Sequence, residues 1–231
     1  MDTSGWLLLH GTPLTPQIWD GLVALLPELG PVLCPVVEAT PGVKHAQAVI
    51  AERLAAELAS TPPVHVIGHS FGGQVALDLA LAAPELVHRV TIVCSRDTPY
   101  PAFAAAAEAL RRGDPVNIDG ALNRWFRPAE LADDGPIVQY ARGCLRTADR
   151  ACWAAALDAI AQYDRSAATP NIQAPVTLLA AEFDQVSTPD AMAALANRLP
   201  RAQLHVLEGA AHMSPFLDPG RLAGLIRQPT S

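Results

Sequence analysis

The sequence predicts an α/β fold, with a mostly parallel sheet, helices on both faces and a helical insertion after the fourth strand. Three observations carry this reading. Apolar runs too short for helices recur at Trp6 to His10, Val32 to Cys34, Val64 to Gly68, Val90 to Cys94, Val176 to Ala180 and Leu204 to Leu207. Helical patterns at Ala48 to Ala59 and Phe71 to Ala82 lie between them, each closing at a break that contains proline, Thr61-Pro62-Pro63 and Ala83-Pro84. Strand, helix, strand in repetition builds a parallel sheet, because the crossover helices cover its faces. Thirdly, the alternation stops between about Asp97 and Pro170, where Ala-rich helical stretches follow one another without a strand.

Within that interruption, Ala102 to Arg112 is helical by alanine propensity. Asp149 to Tyr163 sets Trp153, Leu157 and Ile160 at i, i+4 and i+7, an apolar stripe that must pack on another surface. The expected organisation is a core of residues 1–96 and 171–231 with a helical cap inserted at 97–170. No Gly/Ser linker or internal repeat separates the two, so they form one folding unit. A length of 231 residues suits one large domain. Only Met1 to Gly5 precede Trp6, so no antiparallel hairpin is expected ahead of the first parallel strand. Val32 to Cys34 then becomes a sheet edge, blunted by Pro35.

Charge excludes several partners. The chain has 23 acidic against 16 basic residues, a net charge of −7, and Lys44 is its single lysine. Nothing there neutralises a run of phosphates, so neither nucleic acid nor an anionic membrane surface is an expected partner. No window reaches the roughly 18 apolar residues of a membrane span, and no basic segment precedes the first apolar run. Cys34, Cys94, Cys144 and Cys152 show no CxxC spacing, and two lie inside apolar runs. A reducing cytoplasm is the expected compartment, and a monomer or homodimer the expected assembly.

The chemistry concentrates in Gly68-His69-Ser70-Phe71-Gly72, between the strand Val64 to Ile67 and the helix that opens at Phe71. This is GxSxG in its strand-turn-helix context. Turning straight from strand to helix strains the central residue, and small residues two positions either side avoid colliding with it. The Ser70 hydroxyl then projects above the sheet, where the helix start aims N–H groups and positive dipole at it. A hydroxyl near its normal acidity is a poor nucleophile, so Ser70 requires a base, and the base an orienting carboxylate. Asp184 follows the strand Val176 to Ala180, and His212 follows Leu204 to Leu207. All three sit at the strand ends where open α/β sheets bind ligands. Glu182 is the rival to Asp184, expected to face away if Asp184 faces the site. The N–H groups of Thr12, in His10-Gly11-Thr12-Pro13, and of Phe71 are the candidate oxyanion donors.

At these positions the sequence resembles the α/β-hydrolase superfamily over nearly the whole chain: His10-Gly11, the elbow around Ser70, Asp184 and His212 stand where that family has its oxyanion loop and triad. The resemblance implies a cofactor-independent serine hydrolase of the α/β-hydrolase fold, acting on a small-molecule carboxylic ester or lactone. Asn123 to Pro128 and Ala148 to Asp164 look like the cap of the 3-oxoadipate enol-lactonase group, which closes over a lactone bearing a carboxylate. Arg124 is the matching partner for that carboxylate, with Trp125 beside it. Perhydrolases and C–C bond hydrolases use the same triad, and a small-molecule receptor can keep such a pocket. These remain alternatives.

Other residues read more plainly. His65 and His69 are expected in the core or behind the site, His45 and His88 at the surface, and Asp78 and Asp158 on solvated or capping faces. No HExxH and no Cys/His cluster with ligand spacing suggests a metal.

Overall fold

A computed structural model describes residues 5–26 and 30–227. The expectation that no hairpin precedes the first strand falls on residues 1–4, which lie outside the described residues. Among these, six strands form one sheet in the order β2-β1-β3-β4-β5-β6, and every pairing is parallel. The strands are β1 (Trp6–Leu9), β2 (Val32–Leu33), β3 (Val64–His69), β4 (Val87–Val93), β5 (Val176–Ala181) and β6 (Ala202–Leu207). The predicted two-layer cover is present: α1 (Asp20–Val23), α2 (Ala46–Leu58), α3 (Phe71–Ala82), α9 (Pro189–Arg198) and α10 (Pro219–Ile226) connect and flank the strands. Five helices occupy the stretch between β4 and β5: α4 (Ala102–Arg112), α5 (Ile118–Trp125), α6 (Pro128–Asp133), α7 (Pro136–Thr147) and α8 (Arg150–Gln162).

Each element has a local cause. β1, β3 and β5 are buried along their whole length, as continuous apolar runs in a covered parallel sheet require. β2 is the edge, only two residues long before Pro35. β4 begins at Val87, earlier than its apolar run. His88 is exposed and Arg89 half-buried at the strand's N-terminal end, where no apolar side chain is demanded, and a register shift between Val64 and His65 sets His65 opposite Arg89. Asp149 caps α8 by accepting from the Cys152 N–H at 2.8 Å, and Asn117 caps α5 through the Gly120 N–H at 2.8 Å. The α8 stripe of Trp153, Leu157 and Ile160 is buried against its surroundings, worth about 1.5–3 kcal/mol per side chain.

One expectation fails. Asp78 is not on a solvated face but 4% exposed, because α3 is covered on all sides. Arg165 grips its carboxylate at 2.7 and 3.2 Å, and the Tyr163 hydroxyl lies 3.0 Å from Asp78 Oδ1. Burial pushes the Asp78 carboxyl up, and Arg165 and Tyr163 work against it. The ion pair thus pins the exit of α8 to α3. A second buried acid does the same at the other root: Asp97, fully buried, binds Arg198 at 2.5 and 2.8 Å and Thr169 Oγ1 at 3.1 Å. Removing one partner of such a pair leaves an uncompensated buried charge. Asp158, half-exposed, pairs with Arg111, in line with its expected solvated face. No helix among the described residues is long and apolar enough to cross a membrane.

Candidate active site

The order of the strands explains how residues far apart in sequence meet. β3, β5 and β6 end on the same sheet edge, with β4 between the first two, so the loops that follow them converge. Ser70 follows β3 directly with φ 52° and ψ −118°, a conformation L-residues rarely take and one that costs on the order of 1–3 kcal/mol. Its backbone is held on both sides: the N–H donates to Val93 O at 3.0 Å, and the carbonyl accepts from Gly73 N at 2.9 Å. The flanking glycines are sterically required. A Cβ on Gly68 would stand 2.4 Å from Gly72 O, and one on Gly72 would stand 2.2 Å from Leu9 O.

The Asp184 carboxylate meets His212. Oδ2 accepts from His212 Nδ1 at 2.7 Å, and Oδ1 accepts the N–H groups of Val186 at 2.8 Å and Ser187 at 3.0 Å. Burial pushes the Asp184 carboxyl up, but His212 and those two N–H groups outweigh it and hold it below the ordinary value. Glu182 is exposed and turns to the Gly209 N–H at 2.7 Å, as expected of the rejected rival. The loops of Asp184 and His212 are tied together by Phe183 N–H to Ala210 O at 2.8 Å.

Ser70, His212 and Thr12 line one cavity of about 270 Å³. Its walls come mainly from the helices between β4 and β5, through Phe103, Leu110, Trp125, Trp153, Leu157 and Ile160. The Thr12 loop lies close to the serine: a Cβ on Gly11 would stand 3.0 Å from Ser70 Cβ. Phe71 opens α3, so its N–H has no acceptor inside the helix. Arg124 is exposed and lines the cavity, and Trp125 is buried, its carbonyl accepting the Met213 N–H at 2.9 Å next to His212. All seven predicted residues thus belong to this region.

Behind it lies a second layer, where sequence reasoning expected His69 but gave Cys94 and Ser95 no role. His69 is buried with its ring 4.8 Å from that of His212, and its Nε2 lies 3.2 Å from the His212 carbonyl. Burial, then the neighbouring His212, holds His69 well below its ordinary value, so it stays neutral. His10 is 1% exposed: its Nε2 accepts the Val37 N–H at 2.9 Å, which places the proton on Nδ1, facing Gly11 O at 2.9 Å. Burial lowers its pKa to about 4, partly opposed by the Gly11 bond. The ends of β4 supply Cys94 and Ser95, both buried.

The side chains of Cys94, Asp184 and His212 present ligand atoms within 4.8 Å of one another, a grouping that chain spacing does not reveal. Burial and the Asp184 charge push the Cys94 thiol well up, so its sulfur stands protonated beside that carboxylate.

The buried histidine predicts a pH dependence of stability. His10 has its folded pKa depressed from 6.5 to about 4, so above 6.5 it is neutral in both states and costs nothing. Between 6.5 and about 4 the unfolded chain takes a proton that the folded one refuses, and stability falls by up to about 3 kcal/mol. Thermal unfolding at pH 7 and pH 4.5 is expected to show a smaller difference for His10→Gln than for the parent. Equal differences would contradict this assignment.

The strained Ser70 and the buried His212–Asp184 pair thus meet at one largely apolar cavity on the C-terminal edge of a parallel sheet. The profile of the alpha/beta hydrolase family matches residues 6–225, and the chain belongs to that family. A pimeloyl-[acyl-carrier protein] methyl ester esterase from Aromatoleum aromaticum is 29% identical over 236 residues, covering 94% of each chain. A Pseudomonas syringae pv. syringae protein named as a carbamate hydrolase, RutD, is 30% identical over 162 residues, 67% of this chain; the match spans 62% of that relative's length. The enol-lactonase from Burkholderia xenovorans LB400 superposes with a TM-score of 0.83 at 18% identity, over 97% of this chain and 92% of that one, which speaks for the fold.

Proposed function

We propose that the enzyme hydrolyses carboxylic esters or lactones through an acyl-enzyme, with Ser70 as nucleophile. The observation that carries the reading is the 2.7 Å bond from His212 Nδ1 to Asp184 Oδ2, made by an imidazole that lines the same cavity as Ser70. Asp184 holds the proton on Nδ1, which leaves Nε2 as the base that takes the Ser70 proton. Attack by Oγ on the carbonyl carbon puts negative charge on its oxygen, facing the N–H groups of Thr12 and Phe71. The imidazolium returns its proton to the leaving alkoxide, and a water activated by Nε2 then cleaves the acyl-enzyme by the same steps.

Residues 97–170 serve in this reading as a cap that supplies an apolar acyl pocket. The name of the full-length Aromatoleum relative, a methyl ester esterase, supports an ester as substrate. Arg124 gives the pocket a single cationic contact for a carboxylate, as in a lactone or ester that carries a free acid. All four cysteines are free thiols, which supports a reducing, cytoplasmic setting.

A panel of esters and lactones, with and without a free carboxylate, tests the reading on the purified chain. Multiple turnovers separate an enzyme from a receptor, and none on any member would sink it. Arg124→Gln sharpens the test. Because Arg124 stands exposed, its pair with a substrate carboxylate is screened, and the expected loss in kcat/KM on anionic substrates is about tenfold, with neutral esters almost unchanged. Equal losses on both classes would assign Arg124 to cap integrity instead.

A further inference from the structure

β4 stands between the strand that delivers Ser70 and the strand that leads to Asp184, yet supplies no member of the triad. Its C-terminal end nevertheless reaches both neighbours. Ser95, 1% exposed, donates its hydroxyl to the Ser70 carbonyl at 2.7 Å, and it packs so closely on α3 that a Cβ on Gly73 would stand 2.5 Å from the Ser95 Cβ. Cys94, fully buried, anchors to β5 through its N–H and Leu179 O at 2.9 Å. Its sulfur lies with the Asp184 carboxylate and the His212 ring inside a 4.8 Å cluster. Cys94 also takes φ 48°, which a non-glycine residue adopts only when its surroundings fix it.

Resting on the triad reading, we infer that Cys94 and Ser95 form a brace that sets the acid and the nucleophile relative to each other, Ser95 through the Ser70 carbonyl and Cys94 through the Asp184 carboxylate. Both are positioning residues. Ser95 holds the strained elbow: the Ser70 carbonyl otherwise receives only Gly73 N at 2.9 Å and Gln74 N at 3.3 Å, bonds of the helix start. Cys94 places its thiol within 4.8 Å of a carboxylate already bound by Val186, Ser187 and His212. Burial keeps this thiol protonated, so it sets an S–H dipole beside the acid without adding charge.

The consequence for pH follows from sign. A donor to Asp184 draws negative charge away from the oxygen that faces His212. Without it the carboxylate favours the imidazolium more strongly, and the acidic limb of kcat/KM moves to higher pH. The other titratable groups facing the pair are His69 on β3, with His10 behind it, Arg96 on the loop after β4, and Arg124 on the cavity wall. None of these is altered by a change at Cys94.

The experiment uses the full chain, with kcat/KM profiles from pH 5 to 9 and rates of labelling by a fluorophosphonate probe, for Cys94→Ala, Cys94→Ser and Ser95→Ala. Cys94→Ala is expected to raise the acidic limb by about 0.3 unit or more, and Cys94→Ser, a better donor, to lower it. Ser95→Ala is expected to leave the limb in place and to slow labelling and kcat about tenfold at nearly constant KM. Should Cys94→Ala fail to fold, the downward shift in Cys94→Ser decides alone. Limbs that coincide with the parent in the Cys94 variants, or parental labelling rates in Ser95→Ala, would overturn the brace. Failure of the parent itself to label would instead remove the triad reading, and the brace with it, before any variant is made.

Discussion

Ser70→Ala is expected to reduce turnover of every ester and lactone by about 10⁵- to 10⁶-fold and to abolish labelling by a fluorophosphonate. The variant removes one oxygen and nothing on which the fold depends. The backbone of residue 70 keeps its bonds to Val93 O, Gly73 N and the Ser95 hydroxyl. Alanine meets the same strain at φ 52° that serine does, so the thermal midpoint is expected to stay within a few degrees of the parent. What remains after the substitution is the cavity and the two proposed oxyanion donors, which would polarise a bound carbonyl but offer it no nucleophile. Labelling that persists in Ser70→Ala would place the reactive atom elsewhere and end the reading of GxSxG as a nucleophile elbow.

The elbow was legible because its demands are local. The sharp turn from β3 into α3 leaves no room for side chains at Gly68 and Gly72, and such a need leaves a mark in the chain itself. Asp184 and His212 were legible by another route, since both directly follow an apolar run, and strand ends of a parallel sheet share one edge. Cys94 ends an apolar run and Ser95 follows it, and that was their only signal. Their partners, the Ser70 carbonyl and the Asp184 carboxylate, come from the strands on either side, and strand order is not written in any local pattern. Asp78 was misread for a related reason. α3 is apolar nearly all round, the signature of a helix buried on every side, so its one acid had to find a cation inside, and Arg165 lies 87 residues away. The first residues of β4 were missed because His88 and Arg89 break the apolar run where the sheet no longer needs one.

His212→Ala is expected to cost as much as loss of the nucleophile, about 10⁵- to 10⁶-fold in kcat, because neither attack nor departure then has a proton carrier. Asp184→Asn is expected to cost about 10⁴-fold through a different cause. The carboxylate accepts from His212 Nδ1 at 2.7 Å and so fixes the proton on that nitrogen. An amide in its place can present its NH₂ to the ring, which moves the imidazole proton to Nε2, the atom that has to be free to accept from Ser70. The Val186 and Ser187 N–H groups would still hold the amide oxygen, so the geometry survives while the tautomer does not. Glu182→Gln supplies the contrast. Glu182 is exposed and bonded to the Gly209 N–H, away from His212, and its loss is expected to change kcat less than about threefold. Steady-state kinetics on one good ester across the three variants decides the matter. A larger loss in Glu182→Gln than in Asp184→Asn would transfer the orienting role to Glu182, and activity near the parent's in His212→Ala would mean that the 2.7 Å pair is structural rather than catalytic.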